Sequence, residues 1–297
     1  MSDFEKMHTQ MESGAGFIAA LDQSGGSTPK ALALYGVDAE NYNTEEEMFA
    51  EVQKMRARII LSPDFTAEKV IGAILFEKTL HEQIEVQSVP AYLWNERGVV
   101  PFLKIDKGLD AESDGVQLLK PIPGLSETLS AAKAMGVFGT KERSVVNEAN
   151  AHGIAAIVKN QFDVAHEVIA AGMVPIIEPE VNIHSATKQK AEALLADALM
   201  KHLDMLQEGQ DVMLKLTLPD QAGLYDALAD HARVLRVVAL SGGYSTDDAS
   251  ARLAQNHKMI ASFSRALTEG LQRGMTDAGF NTALGANIDK IYKASIA

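Results

Sequence analysis

The chain has 297 residues, 46% of them hydrophobic, and its 40 acidic and 27 basic residues give a formal net charge of −13. This balance argues against a nucleic acid or an anionic membrane as partner, although a few cations in a cleft could still attract a small phosphate ester. The lack of cysteine excludes disulfides, thiol nucleophiles, thiolate zinc sites and iron–sulfur clusters, and makes the cytosol the expected compartment.

In chain order, the first 14 residues lack the apolar run of a signal peptide, and short apolar runs then alternate with segments of helical spacing. The candidate strands are residues 17–22, 70–76, 99–106, 137–146, 174–178, 212–217, 234–241 and 260–265. The candidate helices are residues 44–60, 126–135, 149–171 (as one helix or two), 186–208, 220–231, 246–256 and 266–279.

This alternation predicts an α/β fold of parallel strands joined by crossovers, the (β/α)8 TIM barrel, with a doubly wound open sheet as the alternative. We expect a single domain over residues 1–297, with a lead-in at residues 1–15 and, at residues 281–297, a C-terminal appendage of small and polar residues around a short helix. Catalytic residues of such barrels lie at the C-terminal ends of the strands, so charged residues there are candidates for function.

The first strand ends in Asp22, followed by the small-residue loop QSGGS at 23–27. Backbone N–H groups in such a loop can form a nest for a phosphate, although a turn with a helix cap is the alternative.

In the third strand Lys104 and Asp106 are two residues apart, and Lys141 and Arg143 repeat this spacing in the fourth. Because side chains alternate along a strand, each pair shares one face. For Lys104 and Asp106 the alternative is an ion pair at the bottom of the barrel.

The fifth strand carries two carboxylates, Glu178 and Glu180, on either side of a proline. Carboxylates two residues apart share a face and raise each other's proton affinity, which predicts one protonated and one ionised group and thus an acid–base pair. A hydrated pair at the rim is the alternative.

The sixth strand has a single ammonium group, Lys215, in the apolar run VMLKLTL. An unpaired buried charge is costly, and burial together with a nearby cation such as Lys141 favours the neutral, nucleophilic amine. The pattern therefore predicts a Schiff-base lysine. A lysine that extends to the rim of the barrel is the alternative.

The seventh strand ends in Ser241, Gly242 and Gly243, and the eighth in Ser264 and Arg265. Barrels frequently bind phosphate between the loops after these two strands, so we expect an anion site here. The eight histidines contain no pair at the spacing typical of metal ligands, and we expect neither a metal nor another cofactor.

Together these residues resemble the class I, Schiff-base-forming fructose-bisphosphate aldolase family in its compact bacterial type. The motifs that carry the resemblance are LDQS at 21–24, ILFE at 74–77, LKIDKG at 103–108, IEPE at 177–180, LK at 214–215, LSGG at 240–243 and FSRAL at 263–267. The resemblance implies a (β/α)8 barrel without a metal that cleaves fructose 1,6-bisphosphate reversibly to dihydroxyacetone phosphate and glyceraldehyde 3-phosphate.

The resemblance also implies roles for single residues. Lys215 would form the Schiff base, Glu178 would shuttle protons, and Asp22 would help to remove the proton of the C4 hydroxyl, while Glu180 and Lys141 would tune these groups. The residues implied at the two phosphates are Ser241, Gly242, Gly243 and Arg265 at the 1-phosphate, and Ser24, Ser27, Lys104 and Arg143 at the other end.

Two features depart from the larger animal members of the family. Their chains end in a tyrosine, whereas the nearest tyrosine to this C-terminus is Tyr292, and an early arginine is replaced by Ala31 beside Lys30. Two other functions stay open at this stage: another Schiff-base aldolase or transaldolase-like enzyme, and a non-catalytic phosphate-binding scaffold. The sequence also leaves the oligomeric state open, with a homo-oligomer as one option.

Overall fold

The computed structural model describes residues 1–24 and 27–297, and of Ser27 only the backbone. In this part of the chain a single sheet contains eight parallel strands in sequence order, each paired with the next. They are β1 (Phe17–Leu21), β2 (Val70–Leu75), β3 (Val100–Lys104), β4 (Gly139–Val146), β5 (Val174–Val181), β6 (Val212–Thr217), β7 (Val234–Leu240) and β8 (Met259–Ala261). Strand β8 comes back into contact with β1, so the sheet is a nearly closed barrel and the predicted fold is confirmed.

Helices lie before, between and after the strands. They are α1 (Asp3–Ser13), α2 (Ser27–Leu34), α3 (Glu45–Leu61), α4 (Glu77–Leu80), α5 (Val89–Arg97), α6 (Leu125–Ala134), α7 (Ala151–Ala170), α8 (Lys188–Leu203), α9 (Asp226–Ala229), α10 (Thr246–Leu253), α11 (Arg265–Thr268) and α12 (Asp277–Ser295). A 3-10 turn (Ala39–Asn41), a short antiparallel pair (Gln83–Ile84 with Gln87–Ser88) and a strand (Val116–Gln117) that pairs with β4 complete the described elements. No helix in the described residues is long and apolar enough to cross a membrane.

Both ends of the chain contribute more to the core than the sequence predicts. The C-terminal segment, expected as an appendage around a short helix, is the 19-residue helix α12, whose residues Phe280, Leu284, Ile288 and Ile291 are buried in the core at helical spacing. At the other end, α1 buries Met7 and Met11 in the core cluster at the N-terminal end of the barrel.

Several predicted elements have different bounds in the structure. Strand β8 ends at Ala261, and Arg265 begins the short helix α11, so the predicted strand at 260–265 and helix at 266–279 were wrong in extent. The segment 149–171 contains one helix, α7 (Ala151–Ala170), with Asn150 as its N-cap. The predicted helix at 220–231 contracts to the four residues of α9.

Alternation along the strands separates two layers inside the barrel. Ile18, Phe102, Ile176 and Met213 belong to the apolar cluster that fills its lower half. Two residues further along the same strands, the inward side chains are Ala20, Lys104, Glu178 and Lys215, while the intervening residues, such as Leu214, pack against the helices. The charged groups therefore lie on an apolar floor, at the C-terminal ends of the strands.

Candidate active site

A cavity of about 980 Å³ opens at the C-terminal ends of the strands. All of the predicted site residues except Ser27 line it: Asp22, Ser24, Lys104, Lys141, Arg143, Glu178, Glu180, Lys215, Ser241, Gly242, Gly243 and Arg265. The side chain of Ser27 and the glycines at 25 and 26 of the predicted phosphate loop lie outside the described residues.

Four side chains on the cavity floor form a row of alternating charge. Lys215 Nζ lies 3.1 Å from Glu178 Oε1, and the other oxygen of this carboxylate, Oε2, lies 2.9 Å from Lys141 Nζ. Lys141 Nζ in turn lies 2.8 Å from Asp22 Oδ2 and 3.8 Å from Asp106 Oδ2. Lys215, Glu178 and Lys141 are 4%, 3% and 2% exposed, so these contacts are largely removed from water.

Burial and charge act in opposite directions on two of these groups. Burial lowers the pKa of Lys141, but the carboxylates of Asp22, Glu178 and Asp106 outweigh burial and raise that pKa above its ordinary value. Burial raises the pKa of Asp22, but the positive charges of Lys141, Lys215 and Lys104 outweigh it and hold that pKa well below its usual range. At neutral pH Lys141 is therefore an ammonium ion and Asp22 a carboxylate.

A second set of charges lies beside the first. Lys104 donates to Asp106 Oδ1 at 2.6 Å and to the Asp106 carbonyl at 3.0 Å, and the backbone N–H of Arg143 donates to Asp106 Oδ2 at 3.2 Å. Arg143 Nε also pairs with Glu180. The alternative of an ion pair at the bottom of the barrel is thus wrong for Lys104 and Asp106, because both line the cavity.

The two carboxylates of β5 do not form the mutual acid–base pair that their spacing predicted. Glu178 has Lys141 and Lys215 as its charged partners, whereas Glu180 has Arg143. The physical reason is that β5 lies between β4 and β6, which place Lys141, Arg143 and Lys215 beside these carboxylates, and the β5 sequence alone does not show these cations.

The opposite wall of the cavity is the turn after β7. Gly242 and Gly243 have φ angles of +59° and +128°, and a methyl group at these positions would lie 2.8 and 3.0 Å from side-chain carbons of Ile183. Both the backbone and the close neighbour therefore require glycine. Arg265 Nη2 lies 3.7 Å from the place of such a methyl group on Gly243, so a guanidinium faces exposed backbone, an arrangement suited to an anion.

Some charged residues of the cavity wall were not among the predicted site residues. Lys30, Glu77 and Lys107 also line the cavity, and Lys107 pairs with Glu77 at its rim. Lys107 lies in a motif that the sequence analysis used, but helix residues such as Lys30 give no comparable signal. Tyr292 packs against the hydrophobic core on α12 and is not part of the cavity wall.

The charge of the cavity differs from that of the whole chain. Among the described residues that line it, seven are cationic and five are carboxylates, although the chain as a whole carries −13. Local positive charge can attract and hold an anion in a protein whose net charge is negative. No group of three or more histidine, aspartate or glutamate side chains in the described residues has the arrangement of a metal site.

Comparisons with known proteins bear on this site. The family model for class-I fructose-bisphosphate aldolase matches residues 4–218, from α1 to the end of β6. Two curated proteins called fructose-bisphosphate aldolase class 1 are similar over 287 residues, or 97% of this chain: one from Synechocystis sp., 57% identical and covered to 96%, and one from Porphyromonas gingivalis, 51% identical and covered to 97%.

A solved structure, the fructose-bisphosphate aldolase of Plasmodium falciparum in a ternary complex with TRAP and a small-molecule inhibitor, has a similar fold. Its TM-score is 0.75 at 20% sequence identity, and the match covers 99% of this chain and 94% of that one.

Proposed function

Because the chain belongs to the class-I fructose-bisphosphate aldolase family, and is therefore a lyase, we propose that it performs the aldol cleavage with Lys215 as the Schiff-base lysine. The substrate is fructose 1,6-bisphosphate, and the products are dihydroxyacetone phosphate and glyceraldehyde 3-phosphate. This family membership favours the aldolase over the transaldolase-like enzyme and over the phosphate-binding scaffold.

One observation carries the proposal: the Lys215 amine lies in the floor of a charged cavity, 3.1 Å from Glu178 Oε1. A lysine must lose its proton before it can attack a carbonyl, and a carboxylate at this distance can accept that proton directly. The same carboxyl group is then in reach of the oxygen that leaves the reacting carbon.

The proposed reaction balances as follows. The neutral Lys215 amine attacks C2 of the ketose, and the resulting carbinolamine loses water with a proton supplied by Glu178, which leaves a protonated iminium. Asp22, assisted by Glu178, takes the proton of the C4 hydroxyl. The C3–C4 bond breaks, its electron pair moves to the iminium nitrogen, and glyceraldehyde 3-phosphate leaves. The remaining enamine takes at C3 the proton that Asp22 removed from the C4 hydroxyl. Water then hydrolyses the new iminium, losing a proton to Glu178, and releases dihydroxyacetone phosphate and the free amine.

Two sets of groups are proposed to hold the phosphates. Arg265 and the turn of Ser241, Gly242 and Gly243 bind the 1-phosphate, because a guanidinium beside exposed backbone N–H groups suits a doubly charged anion. The residues proposed for the 6-phosphate are Ser24, Ser27, Lys104 and Arg143. Binding at both ends fixes C2 against Lys215 and makes the attack an oriented, effectively unimolecular step.

The remaining groups are proposed to set the charge of the floor. Lys141, held as an ammonium ion by three carboxylates, keeps Asp22 ionised, and Glu180 orients Arg143. We further propose that the enzyme works in the cytoplasm on phosphorylated sugars alone, without a nucleic-acid or membrane partner.

Borohydride trapping tests the proposal. The protein is incubated with dihydroxyacetone phosphate and sodium borohydride, and the modified peptide is identified by mass spectrometry. We expect a permanent adduct on Lys215, and none with glycerol 3-phosphate, which has the same phosphate but no carbonyl. An adduct on Lys141 or Lys104, or no adduct at all, would overturn the assignment of the nucleophile.

A further inference from the structure

A buried arginine outside the proposed machinery contacts the loop that carries Asp22. Arg56 lies on α3 and is 1% exposed. Its Nη2 donates to the Gln23 carbonyl at 2.5 Å, and its Nη1 donates to Thr79 Oγ1 at 2.9 Å. The planar guanidinium thus joins the loop after β1 to helix α4, which follows β2.

Thr79 and Gln23, the two partners of Arg56, each make a further hydrogen bond. Thr79 Oγ1 donates to Gln53 Oε1 at 2.9 Å, which fixes the orientation of the hydroxyl that accepts from Arg56. Gln23 Nε2 donates to Ser264 Oγ at 2.5 Å, and Ser264 is the neighbour of Arg265. A chain of hydrogen bonds therefore runs from α3 through the residue after Asp22 to the proposed 1-phosphate site.

The charges of Arg56 and Asp22 also interact. In the described residues the partners of the Arg56 guanidinium are neutral: the Gln23 carbonyl, Thr79 Oγ1 and the ring of Phe76, whose centroid lies 5.9 Å away. Burial lowers the pKa of Arg56 to about 10, and the negative charge of Asp22 opposes that shift. Arg56 therefore remains cationic at neutral pH and lies within the electrostatic field of this carboxylate.

We propose that Arg56 is a positioning residue that acts through Asp22. By holding the Gln23 carbonyl against α3, it fixes the backbone directly after Asp22 and so keeps that carboxylate between Lys141 and the C4 hydroxyl of the substrate. The inference rests on the proposed role of Asp22. A lysine cannot replace it, because a single ammonium lacks the fork that reaches Gln23 and Thr79 together.

The test is a double-mutant cycle with Arg56→Lys, Asp22→Asn and the combined variant. We expect Arg56→Lys to lower kcat for cleavage about 10- to 100-fold, with a smaller change in KM. The combined variant should be no slower than Asp22→Asn alone, because the arginine has nothing left to position. Arg58→Lys is the matched control on the same helix, where the arginine bonds to Met275 and Asp277, and should keep the wild-type kcat.

Borohydride trapping with dihydroxyacetone phosphate separates positioning from general damage. The adduct on Lys215 should form at the wild-type rate in Arg56→Lys, because that step does not need Asp22, whereas a distorted barrel would lose both activities. If Arg56→Lys does not fold, Thr79→Val takes its place in the cycle and should lower kcat in the same direction.

The outcomes are distinct. A wild-type kcat in Arg56→Lys or Thr79→Val would overturn the inference. It would also be overturned if the loss of kcat in the combined variant equalled the product of the losses in the two single variants. A wild-type kcat in Asp22→Asn itself would instead overturn the proposed role of Asp22, and with it any reason for positioning that residue.

Discussion

Lys215 and Glu178 face each other across 3.1 Å, from adjacent strands of the barrel. Lys141 contacts the other oxygen of the same carboxylate at 2.9 Å and has Asp22 as a second close partner at 2.8 Å. The two lysines therefore differ: Lys141 is surrounded by carboxylates, whereas Lys215 lies at the end of the row. This difference is why we propose Lys215, and not Lys141, as the nucleophile.

The first prediction concerns that amine. Lys215→Met keeps an unbranched side chain on the floor of the cavity but removes the nucleophile, so cleavage should fall by at least about 10⁴-fold. Binding of fructose 1,6-bisphosphate, measured by calorimetry, should persist because the proposed phosphate contacts remain. Near-normal cleavage by the variant would remove Lys215 from the mechanism.

The second prediction concerns the proton carrier. Glu178→Gln preserves the shape of the side chain but removes its charge, its proton exchange and one of its two contacts with an ammonium group, so kcat should fall about 10²- to 10⁴-fold. The rate of borohydride trapping should fall as well, because dehydration of the carbinolamine also needs this proton. Glu180→Gln is the control, and it should leave the trapping rate close to that of the wild type. Equal trapping rates in wild type and Glu178→Gln would contradict the assignment.

The third prediction concerns metal removal. In the proposed mechanism the protonated iminium on Lys215 accepts the electron pair of the breaking bond, so no Lewis acid is required. Activity should therefore be unchanged after prolonged treatment with EDTA and gel filtration into metal-free buffer. Loss of activity that a divalent ion restores would show that the electron sink is a metal.

Many of the charged residues of the site could be predicted because the pattern that reveals each of them lies within a single strand. Two-residue alternation assigns Lys104, Lys141 and Lys215 to the inside of their strands, and barrels carry their chemistry where such strands end. Charge at the inward positions and ends of apolar strands was therefore enough to identify most of the charged residues that line the cavity.

The rest depends on contacts between distant segments. Arg56 is one of several charged residues on helix α3, and nothing in the sequence of that helix distinguishes the buried Arg56 from the partly exposed Arg58. The cations that face Glu178 come from β4 and β6, so the partners of a β5 carboxylate depend on strand register. The length and burial of helix α12 were not predicted, because its small and polar residues obscure the buried stripe that contains Leu284 and Ile288.

The fourth prediction concerns the turn after β7. Gly242→Ala would place a methyl group 2.8 Å from Ile183 Cγ2 at a φ of +59°, a conformation that costs alanine about 1–2 kcal/mol. We expect the turn to shift away from the 1-phosphate, so KM should rise about 5- to 30-fold while kcat changes less. Adding Ile183→Ala should relieve the contact but not the backbone strain, so KM should recover only in part. An unchanged KM in Gly242→Ala would argue against phosphate binding at this turn.

The last prediction concerns Glu142, which lies on the outer face of β4 with no exposure to solvent. Thr140 Oγ1 donates to its Oε2 at 3.3 Å, and within the described residues its Oε1 has no hydrogen-bond partner. Burial raises the pKa of Glu142 well above its ordinary value, and the negative charges of Asp106 and Glu178 raise it further. The carboxyl group is therefore protonated in the folded protein over a range in which the unfolded chain has lost that proton.

The direction in which pH changes the stability follows from the number of protons that the folded and unfolded states bind. Above the ordinary glutamate pKa of about 4.5 the folded state binds one proton more than the unfolded chain, so this group reduces stability as pH rises, by at most about 1.4 kcal/mol per pH unit up to its folded pKa. Glu142→Gln removes this contribution. Its urea midpoint should match the wild type near pH 4 and exceed it increasingly toward pH 8, whereas the exposed control Glu148→Gln should follow the wild type throughout. Parallel curves for wild type and Glu142→Gln would mean that Glu142 gains no proton on folding.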